Sequence, residues 1–462
     1  MIEHIKSDNP SQVIDSQLDQ FLSSLEKESV FAVIYTFVQQ YLASSSTTIP
    51  EITLISLVSL SRRENNEINL AVTVFQEDQV RNDFLTSLSP TLDSVSQFCQ
   101  SNKLPLFSLG EPVLLQPIDI PKPWGKEVWY TGIEERGQSL VSDGHYSIPL
   151  PWLLSIGEKY WLDQTHNSLI LLKILDPLPE PVFGDLYFEM HEEKREVYVV
   201  TNVDKQAWPN GEGGIRFGFN QAKRNAFSND DDFKQAYLSA VKSYQQTRID
   251  IDQKLDGCRK EDNVEINDPV SAATTQRWLA TVDDSLRQKE VELRTVMESF
   301  INVQPLQVGD VIKVPTYTPH SLMHGVRTIE FQTPVYERKI LSFAQKVLTQ
   351  NHWDTESAMD MVSLDAPSLP SLELLNNVSN RILESVVKFD DFEVVRLTFT
   401  EKGVFDVPLN EKYSVVIAVC GELQINSKLL DVEQAMLIGS RAKFMRIESY
   451  SPESILLIAT PV

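Results

Sequence analysis

Three side chains that can bind a divalent metal lie close together in the stretch from Gly184 to Val203. Glu189 and His191 are two residues apart, and Glu196 follows five residues after the histidine. Apolar and polar residues alternate on both sides of this group, which predicts two β-strands joined by a short charged turn. Residues two apart on a strand face the same side, so Glu189 and His191 should project together, with Glu196 opposite on the paired strand. Two carboxylates and one imidazole arranged in this way can form a metal site.

A second group of candidate ligands lies more than a hundred residues further along, between Gly309 and His324. Residues 311–314 are mostly β-branched and predict a strand that follows a glycine turn. The segment Pro315–Pro319 has a proline at each end and predicts a rigid loop. His320 follows this loop directly, and His324 stands four residues later. This segment can therefore add imidazole nitrogen to the site that the first group begins.

Taken together, the two segments resemble the two sequence motifs of the cupin superfamily. The first segment has the glycine, the ligand-x-histidine pair and, after four intervening residues, the glutamate of the first motif. The second has Gly309, Pro315 and His320 at the spacing of the second motif. Two positions depart from the family pattern, because Tyr317 stands where a glycine is usual and His324 where an asparagine is common.

A narrower resemblance is to the type I phosphomannose isomerases. The segment LLKILDP at 171–177 resembles the strand that precedes the metal site of that family, and Lys194 with Glu196 resembles its lysine-x-glutamate pair. The segment 330–343 resembles its following strand and arginine, which falls on Arg338. The resemblance implies a metal-dependent aldose–ketose isomerase that moves a proton between C1 and C2 of a sugar phosphate or a related sugar.

The resemblance also implies a role for each site residue. The implied metal ligands are Glu189, His191, Glu196 and His320. The implied catalytic residues are Lys194, as an acid/base or substrate-orienting group, and Arg338, as a stabiliser of the enediolate. A solvated charge at a hairpin tip is the alternative for Lys194, and a surface salt bridge is the alternative for Arg338. His324 is either a further ligand or proton shuttle, or a residue outside the ligand set.

The nitrogen and oxygen ligands suit zinc best, and iron, nickel or manganese are compatible as well. The family usually has glutamine where Glu189 stands, and the loop between its histidine and lysine is longer than the two residues found here. The additional carboxylate makes the site more negative and favours a harder metal. Fold and metal binding tolerate such changes better than the identity of the substrate does.

The composition of the whole chain restricts its partners and its location. The formal net charge of −24 argues against nucleic acid and anionic membranes as partners. The resemblance implies a small-molecule sugar or sugar phosphate as the partner. No apolar run approaches the roughly 20 residues of a membrane span, and no secretion signal is expected from the first residues. Three widely spaced cysteines suit a reducing compartment, so a cytoplasmic location is expected. The sequence leaves the oligomeric state open.

The order of predicted elements indicates a mainly β fold with two cupin barrels (jelly rolls, or double-stranded β-helices). Residues 1–110 are expected to form an α+β module of unknown role. Residues 111–228 and 302–350 are expected to form the metal-binding cupin, interrupted by a helical insertion at 229–301. Strands at 393–400, 413–426, 434–439 and 454–461 predict a second cupin over 375–462, and this segment contains no histidine to bind a metal.

Several local predictions accompany this scheme. Helical spacing of apolar residues predicts helices at 13–25, 31–42 and 78–101, and alternation predicts a β-hairpin from 52–61 and 67–76. The glycine-rich segment 208–220 has no phosphate-binding pattern and is interpreted as a loop. Residues 122–130, with three aromatic and two basic side chains, form either a wall of a sugar-phosphate cleft or an edge strand with buried tryptophans. His145 and His166 occur in turn-like contexts and are not assigned to the site.

Two other classes of function remain open. One is a non-catalytic metal-holding cupin that binds a sugar or regulates a partner through its N-terminal module. The other is a cupin enzyme of a different reaction type, such as an oxygenase or epimerase. A phosphate-binding cleft needs basic residues near the metal, for which Lys122, Lys126, Arg338 and Lys339 are the candidates, whereas an oxygenase would show an apolar pocket.

Overall fold

The structure is a computed structural model that describes residues 2–39, 50–63, 67–80, 88–134, 137–162, 169–266, 268–369 and 371–462. The chain divides into two compact units. The first consists of residues 1–118, 129–172 and 372–462, and the second of residues 119–128 and 173–371. Strands predominate in the described residues, as the sequence predicts. Among those residues, no helix is both long and apolar enough to cross a membrane.

The N-terminal part of the first unit is a sheet with helices beside it. In the described residues the sheet has five strands, in the spatial order Glu3–Lys6, Glu28–Val38, Glu51–Arg62, Ile68–Gln76 and Phe107–Ser108. The helices are Pro10–Ser23 and Leu92–Asn102, with a short 3₁₀ turn at Glu77–Gln79. The predicted hairpin is confirmed, because its two strands pair antiparallel. The predicted helix at 78–101 is confirmed only from residue 92 onward, and residues 81–87 of it lie outside the described residues.

The helix predicted at 31–42 is wrong, since Glu28–Val38 is a strand paired antiparallel with Glu51–Arg62. Residues 40–42 of that prediction lie outside the described residues. Phe31, Ala32 and Val33 are consecutive and all buried, so both faces of the strand are covered. A strand buried on both faces has a continuous apolar run instead of alternation, and such a run also satisfies helical spacing.

The rest of the first unit is a β-sandwich. The larger sheet has nine described strands, in the order Ser147–Pro149, Leu140–Ser142, Val113–Gln116, Ala435–Ile438, Ser414–Cys420, Ser454–Pro461, Phe392–Phe399, Arg381–Lys388 and Glu373–Val378. The smaller has four within the same ranges, in the order Gly403–Pro408, Phe444–Ser449, Leu423–Ile425 and Lys428–Leu430. One core joins them, with Val416 and Leu456 from the larger sheet against Ile425 and Ile447 from the smaller. The strands predicted beyond residue 392 are therefore confirmed.

The boundary predicted at residue 111, between the N-terminal module and the metal-binding cupin, does not coincide with the division between the two units. The strand Val113–Gln116 hydrogen-bonds to Ala435–Ile438, more than three hundred residues later, and Leu140–Ser142 continues the same sheet. The short hairpin Ile133–Glu134 with Gly137–Gln138, the helix Leu150–Ser155 and the turn Glu158–Tyr160 belong to this unit as well. Alternation predicts that these residues form strands but does not identify a partner so distant in sequence.

The second unit contains two sheets that share a core. The front sheet has, in the described residues, six strands in the order Val311–Val314, Glu196–Val203, Val326–Gln332, Leu171–Pro177, Gly125–Trp129 and Ile118–Lys122. The back sheet has five in those ranges, in the order Ile301–Leu306, Gly213–Phe219, His320–Leu322, Phe188–Met190 and Lys339–Ser342. Tyr198 and Ile312 from the front sheet pack in one core with Phe217 and Leu322 from the back sheet.

Two local predictions for this unit are wrong. Phe188–Met190 and Glu196–Val203 do not pair as a hairpin, because they lie in different sheets and residues 191–195 connect the two. The segment 208–220 is not simply a loop, because Gly213–Phe219 is a fully buried strand. Its glycine content reflects packing, since a Cβ atom on Gly213 would lie 2.4 Å from Cγ2 of Val326.

Helices occur where the sequence predicts the insertion, at Asp230–Glu261, Ala272–Leu279 and Asp284–Glu298. The short helices Gln221–Arg224 and Thr355–Met359 lie outside it. The first long helix begins at Asn229, whose side chain accepts a hydrogen bond from the Asp232 amide, and three aspartates occupy its first turn. Phe233 and Tyr237 on this helix pack with Phe188 and Phe219 of the back sheet, so the insertion supports the strand that carries Glu189.

The shared core of the second unit predicts the effect of a truncation at Phe217, which is 1% exposed. We expect Phe217→Ala to lower the free energy of unfolding by about 3–5 kcal/mol, because it removes an aromatic ring and leaves a cavity between the sheets. Urea denaturation followed by circular dichroism measures this change. Val303→Ala, on the neighbouring strand and 53% exposed, is the control and should change stability little. Equal effects of the two substitutions would contradict the packing described.

Candidate metal centre

The four implied metal ligands converge from the two sheets of the second unit. Glu189 lies on the back-sheet strand Phe188–Met190 and pairs directly with His320 on the adjacent strand. His191 follows the same strand as Glu189, and Glu196 is the first residue of its front-sheet strand. Both imidazoles and the Glu196 carboxylate are buried, at 3% exposure or less. The structure therefore brings the four residues together across two sheets and not within one hairpin.

The distances define a compact group of nitrogen and oxygen atoms. Glu189, His191 and His320 each offer a ligand atom, and these atoms lie within 4.8 Å of one another, so they could hold a metal ion. Nε2 of His191 lies 3.8 Å from Oε1 of Glu189 and 3.4 Å from Oε1 of Glu196. Nε2 of His320 lies 3.1 Å from Oε2 of Glu196. Glu196 therefore contacts both imidazoles.

Each imidazole is oriented through its other ring nitrogen. Nδ1 of His191 lies 3.0 Å from the carbonyl oxygen of Glu337, and Nδ1 of His320 lies 3.0 Å from that of Thr318. A carbonyl only accepts hydrogen bonds, so each Nδ1 donates a proton to it. Nε2 of His191 therefore presents a lone pair to the centre, whereas Nε2 of His320 faces the Glu196 carboxylate. Nε2 of His191 and Oε2 of Glu189 are buried and make no hydrogen bond within the described residues. The group therefore fits a divalent cation.

Glu337 organises the loop that follows His191. Its Oε1 atom accepts hydrogen bonds from the backbone amides of Glu192, Glu193 and Lys194, at 2.9, 3.1 and 3.1 Å. Its own carbonyl orients His191. One residue thus fixes both the imidazole and the two-residue loop before Lys194. The sequence does not predict this role, because Glu337 reaches the loop at 192–194 only after the chain has folded back on itself.

Lys194 points into the centre and is not a solvated hairpin tip. It is 8% exposed, and its Nζ lies 2.6 Å from Oε1 of Glu196. The hydroxyl of Tyr198 donates to Oε2 of the same carboxylate at 2.5 Å.

Burial raises the pKa of Glu196, but Lys194 and the imidazoles outweigh it and hold that pKa well below the ordinary value. Burial, reinforced by Lys194, lowers the pKa of His191, which keeps the imidazole neutral.

Arg338 also lies at the centre. Its guanidinium is 3.7 Å from Oε2 of Glu189, donates to the Thr349 hydroxyl at 2.5 Å and covers the ring of Tyr187 at 4.9 Å. The side chain is 17% exposed, so it is not a plain surface salt bridge. Lys339, beside it, pairs with Glu192 at 3.0 Å.

A second buried ion pair lies near the first group, and the sequence analysis did not assign it to the site. Lys173 on the front-sheet strand Leu171–Pro177 is 3.4 Å from Oε1 of Glu330. Burial raises the pKa of Glu330 to about 8, and the nearby Glu196 adds to this effect. Burial alone would lower the pKa of Lys173, but its acidic neighbours, above all Glu330, have the larger opposite effect, so the pKa is raised. The signal in the sequence was a lysine within an otherwise apolar buried strand.

The remaining candidates do not join this group. His324 contacts Asp185 at 2.8 Å and stacks on Trp208. These contacts place it outside the group of candidate ligands. Lys122 pairs with Glu127 and Lys126 with Asp119. The aromatic residues of 122–130 are buried, at 1% exposure for Trp124, 4% for Trp129 and 3% for Tyr130. These contacts favour buried tryptophans over a cleft wall, although the strand Gly125–Trp129 lies inside the front sheet and Ile118–Lys122 forms its edge. His145 is exposed, and His166 lies outside the described residues.

The chain shares its fold with solved mannose 6-phosphate isomerases. Among solved structures it is similar to the mannose 6-phosphate isomerase from Bacillus subtilis, with a TM-score of 0.52, 12% identity and coverage of 75% of this chain and 99% of that one. It is also similar to the apo form of the mannose 6-phosphate isomerase from Salmonella typhimurium, with a TM-score of 0.51, 11% identity and coverage of 76% and 99%. No family model matches the sequence, and no curated protein matches it.

The position of Glu337 predicts its contribution to metal affinity. We expect Glu337→Ala to weaken zinc binding by about tenfold, because the loop at 192–194 loses the side-chain acceptor of its three amides, whereas the backbone carbonyl that orients His191 is kept. Competition with a chromophoric chelator measures the affinity. Glu193→Ala removes an exposed carboxylate from the same loop and should bind zinc like the wild type. Unchanged affinity in Glu337→Ala would contradict the proposed orienting role.

The raised pKa of Glu330 predicts how stability depends on pH. Between its ordinary pKa of 4.5 and about 8, the folded protein keeps a proton on Glu330 that the unfolded chain has released. The contribution of this group to stability is therefore complete below 4.5 and is lost as the pH rises towards 8. We expect the free energy of unfolding to fall more steeply over this range in the wild type than in Glu330→Gln. Urea denaturation of both at a series of pH values tests this, and parallel profiles would contradict it.

Proposed function

We propose that this protein is a metal-dependent aldose–ketose isomerase of the mannose 6-phosphate isomerase type, acting on a sugar phosphate or a related sugar. The observation that carries the proposal is the pair of imidazoles with Nδ1 held by backbone carbonyls and Nε2 directed, with Glu189, at one point. That group lies in a fold shared with mannose 6-phosphate isomerases.

Glu189, His191, Glu196 and His320 would hold the metal, with zinc as the first candidate and iron, nickel or manganese as alternatives. A bound metal would supply a Lewis acid for the substrate carbonyl. The carboxylate of Glu189, in place of an uncharged ligand, would shift the preference towards harder cations. The sandwich of the first unit, whose segment 375–462 contains no histidine, would serve as a second cupin barrel with a structural role.

Lys194 would act on the substrate protons. Isomerisation takes a proton from the carbon beside the carbonyl and returns it to the neighbouring carbon, and both transfers need a positioned acid/base group. The Nζ atom of Lys194 lies at the centre, where its contact with Glu196 would hold it in place to give a proton to the substrate and take it back. Arg338, whose contact with Glu189 is only 3.7 Å, would stabilise the negative charge that develops on the sugar oxygens.

One observation favours a second candidate function, a non-catalytic metal-holding sugar-binding protein. The cations near the centre already contact carboxylates: Lys194 with Glu196, Lys339 with Glu192, and Lys173 with Glu330. A substrate phosphate would have to displace such contacts, whereas a neutral sugar would not. A cytoplasmic location accompanies either function, in keeping with cysteines that are free in the structure.

The test combines elemental analysis of the purified protein with a coupled assay that interconverts mannose 6-phosphate and fructose 6-phosphate. We expect about one metal ion per chain and metal-dependent turnover, with both lost in the His191→Ala/His320→Ala double variant. The double variant of the exposed histidines, His145→Ala/His352→Ala, is the matched control and should keep both.

Two outcomes would contradict parts of the proposal. Bound metal without turnover on either sugar phosphate would reject the isomerase and support the sugar-binding candidate, which titration with free mannose would then examine. Absence of metal in the wild type after incubation with zinc, iron, nickel and manganese would reject the metal centre itself.

A further inference from the structure

A pocket of about 400 Å³ lies between the helical insertion and the sandwich of the second unit. Its walls come from the three insertion helices on one side and from residues 181–183 and 344–348 on the other. None of the ligands of the metal centre lines it. The volume falls within the range of pockets that bind small molecules.

Most of the pocket wall is apolar. Ile251 and Leu255 from the helix Asp230–Glu261 and Trp278 from the helix Ala272–Leu279 form its buried part. Val291, on the third helix, is 49% exposed and stands at the edge. A wall of this kind suits a flat apolar group, because burying such a group removes apolar surface of both partners from water.

The charged residues of the wall have one dominant sign. Five of them are cations and one is a carboxylate, in a chain whose formal net charge is −24. They are Arg248, Arg259, Arg287, Arg294, Lys346 and Glu290. Low-dielectric walls concentrate the local field, so a cation of such a wall that lacks a carboxylate partner attracts an anion even on an acidic protein.

Arg259 is the cation of this wall that has no carboxylate partner among the described residues. It is 6% exposed, it donates to the carbonyl oxygens of Glu265 and Asp268 at 3.0 and 2.7 Å, and its guanidinium lies 5.5 Å from the ring of Trp278. Within the part of the chain that the structure describes, no carboxylate lies within 4.0 Å of it, whereas the other four cations each have such a partner. Burial lowers the pKa of Arg259 despite the negative charge of nearby aspartates.

We propose that this pocket binds a small amphipathic anion, with an aromatic or otherwise flat apolar body and one carboxylate, phosphate or sulfonate group. The body lies against Ile251, Leu255 and Trp278, and the anionic group pairs with Arg259. A buried guanidinium that lacks a carboxylate partner gains most from such a ligand, since the pair forms in a site already shielded from water. This site is independent of the metal centre and of the reaction proposed for it.

The experiment uses two probes with the same ring system. Anilinonaphthalene sulfonate carries one anionic group, and phenylnaphthylamine lacks it. We expect the sulfonate to bind the full-length protein with one molecule per chain and more tightly than the neutral probe, as measured by the fluorescence of the directly excited probe. Equal affinity for the two probes would overturn the requirement for an anion.

Variants at the edge of the pocket test the location. Val291→Trp and Gln276→Trp place a large ring at two separate edge positions, and both should abolish binding of the sulfonate. Val296→Trp, on the same helix as Val291 and 51% exposed, lies outside the pocket and should bind like the wild type. If Val291→Trp and Gln276→Trp both bind the sulfonate as tightly as the wild type, the assignment of the probe to this pocket is overturned. Because Gln276 is exposed, its replacement keeps the test valid if Val291→Trp fails to fold.

Arg259→Gln tests the anionic subsite. Glutamine keeps a donor for the two carbonyls but removes the charge, so affinity for the sulfonate should fall about tenfold, the loss expected for one hydrogen bond to a charged group. Affinity for phenylnaphthylamine should stay near the wild-type value. A similar loss for both probes would show that Arg259 only supports the pocket, and it would overturn the proposed pairing.

Discussion

The arrangement of the candidate centre depends on the hydrogen bonds of Glu337. Its carboxylate takes up three consecutive backbone amides, and its carbonyl orients His191. These bonds fix residues 192–194 of the connection between the two sheets, and so they help to place Lys194 beside Glu196 and the imidazoles. A carboxylate that satisfies several amides of a tight loop is stable when partly buried, because each amide donor in such a loop otherwise lacks a partner.

Charge balance is the second constraint on the centre. Glu189, Glu196 and Glu330 bring three carboxyl groups into or next to one partly closed space, and burial opposes the ionisation of Glu196 and Glu330. Lys173, Lys194 and Arg338 offset this cost through direct contacts. Lys194 and Glu196 form a buried pair of opposite charges, so replacement of either leaves an uncompensated charge, which is costlier than the loss of one contact.

Sequence reasoning identified the residues of the centre better than the way the chain assembles them. The spacing of Glu189, His191, Glu196 and His320 was sufficient, because motif spacing reports which side chains share a site. It did not report that Glu196 reaches them from another sheet, since alternation specifies the face of a strand and not its partner. The strand at Phe31 was taken for a helix for a related reason, as burial on both faces erases alternation. Lys173 and Glu337 were missed because their roles depend on contacts with residues more than a hundred positions away.

The separation of the ligands between two sheets has a consequence for the lifetime of the protein in a cell. A cation held by Glu189 and Glu196 together would join the back sheet to the front sheet and would bind only the closed arrangement. Ligand that binds only the folded state reduces the population of opened chains, which are the species that proteases cut. Cells short of that cation would then lose the protein by degradation, and its abundance would follow the metal supply without any change in its synthesis.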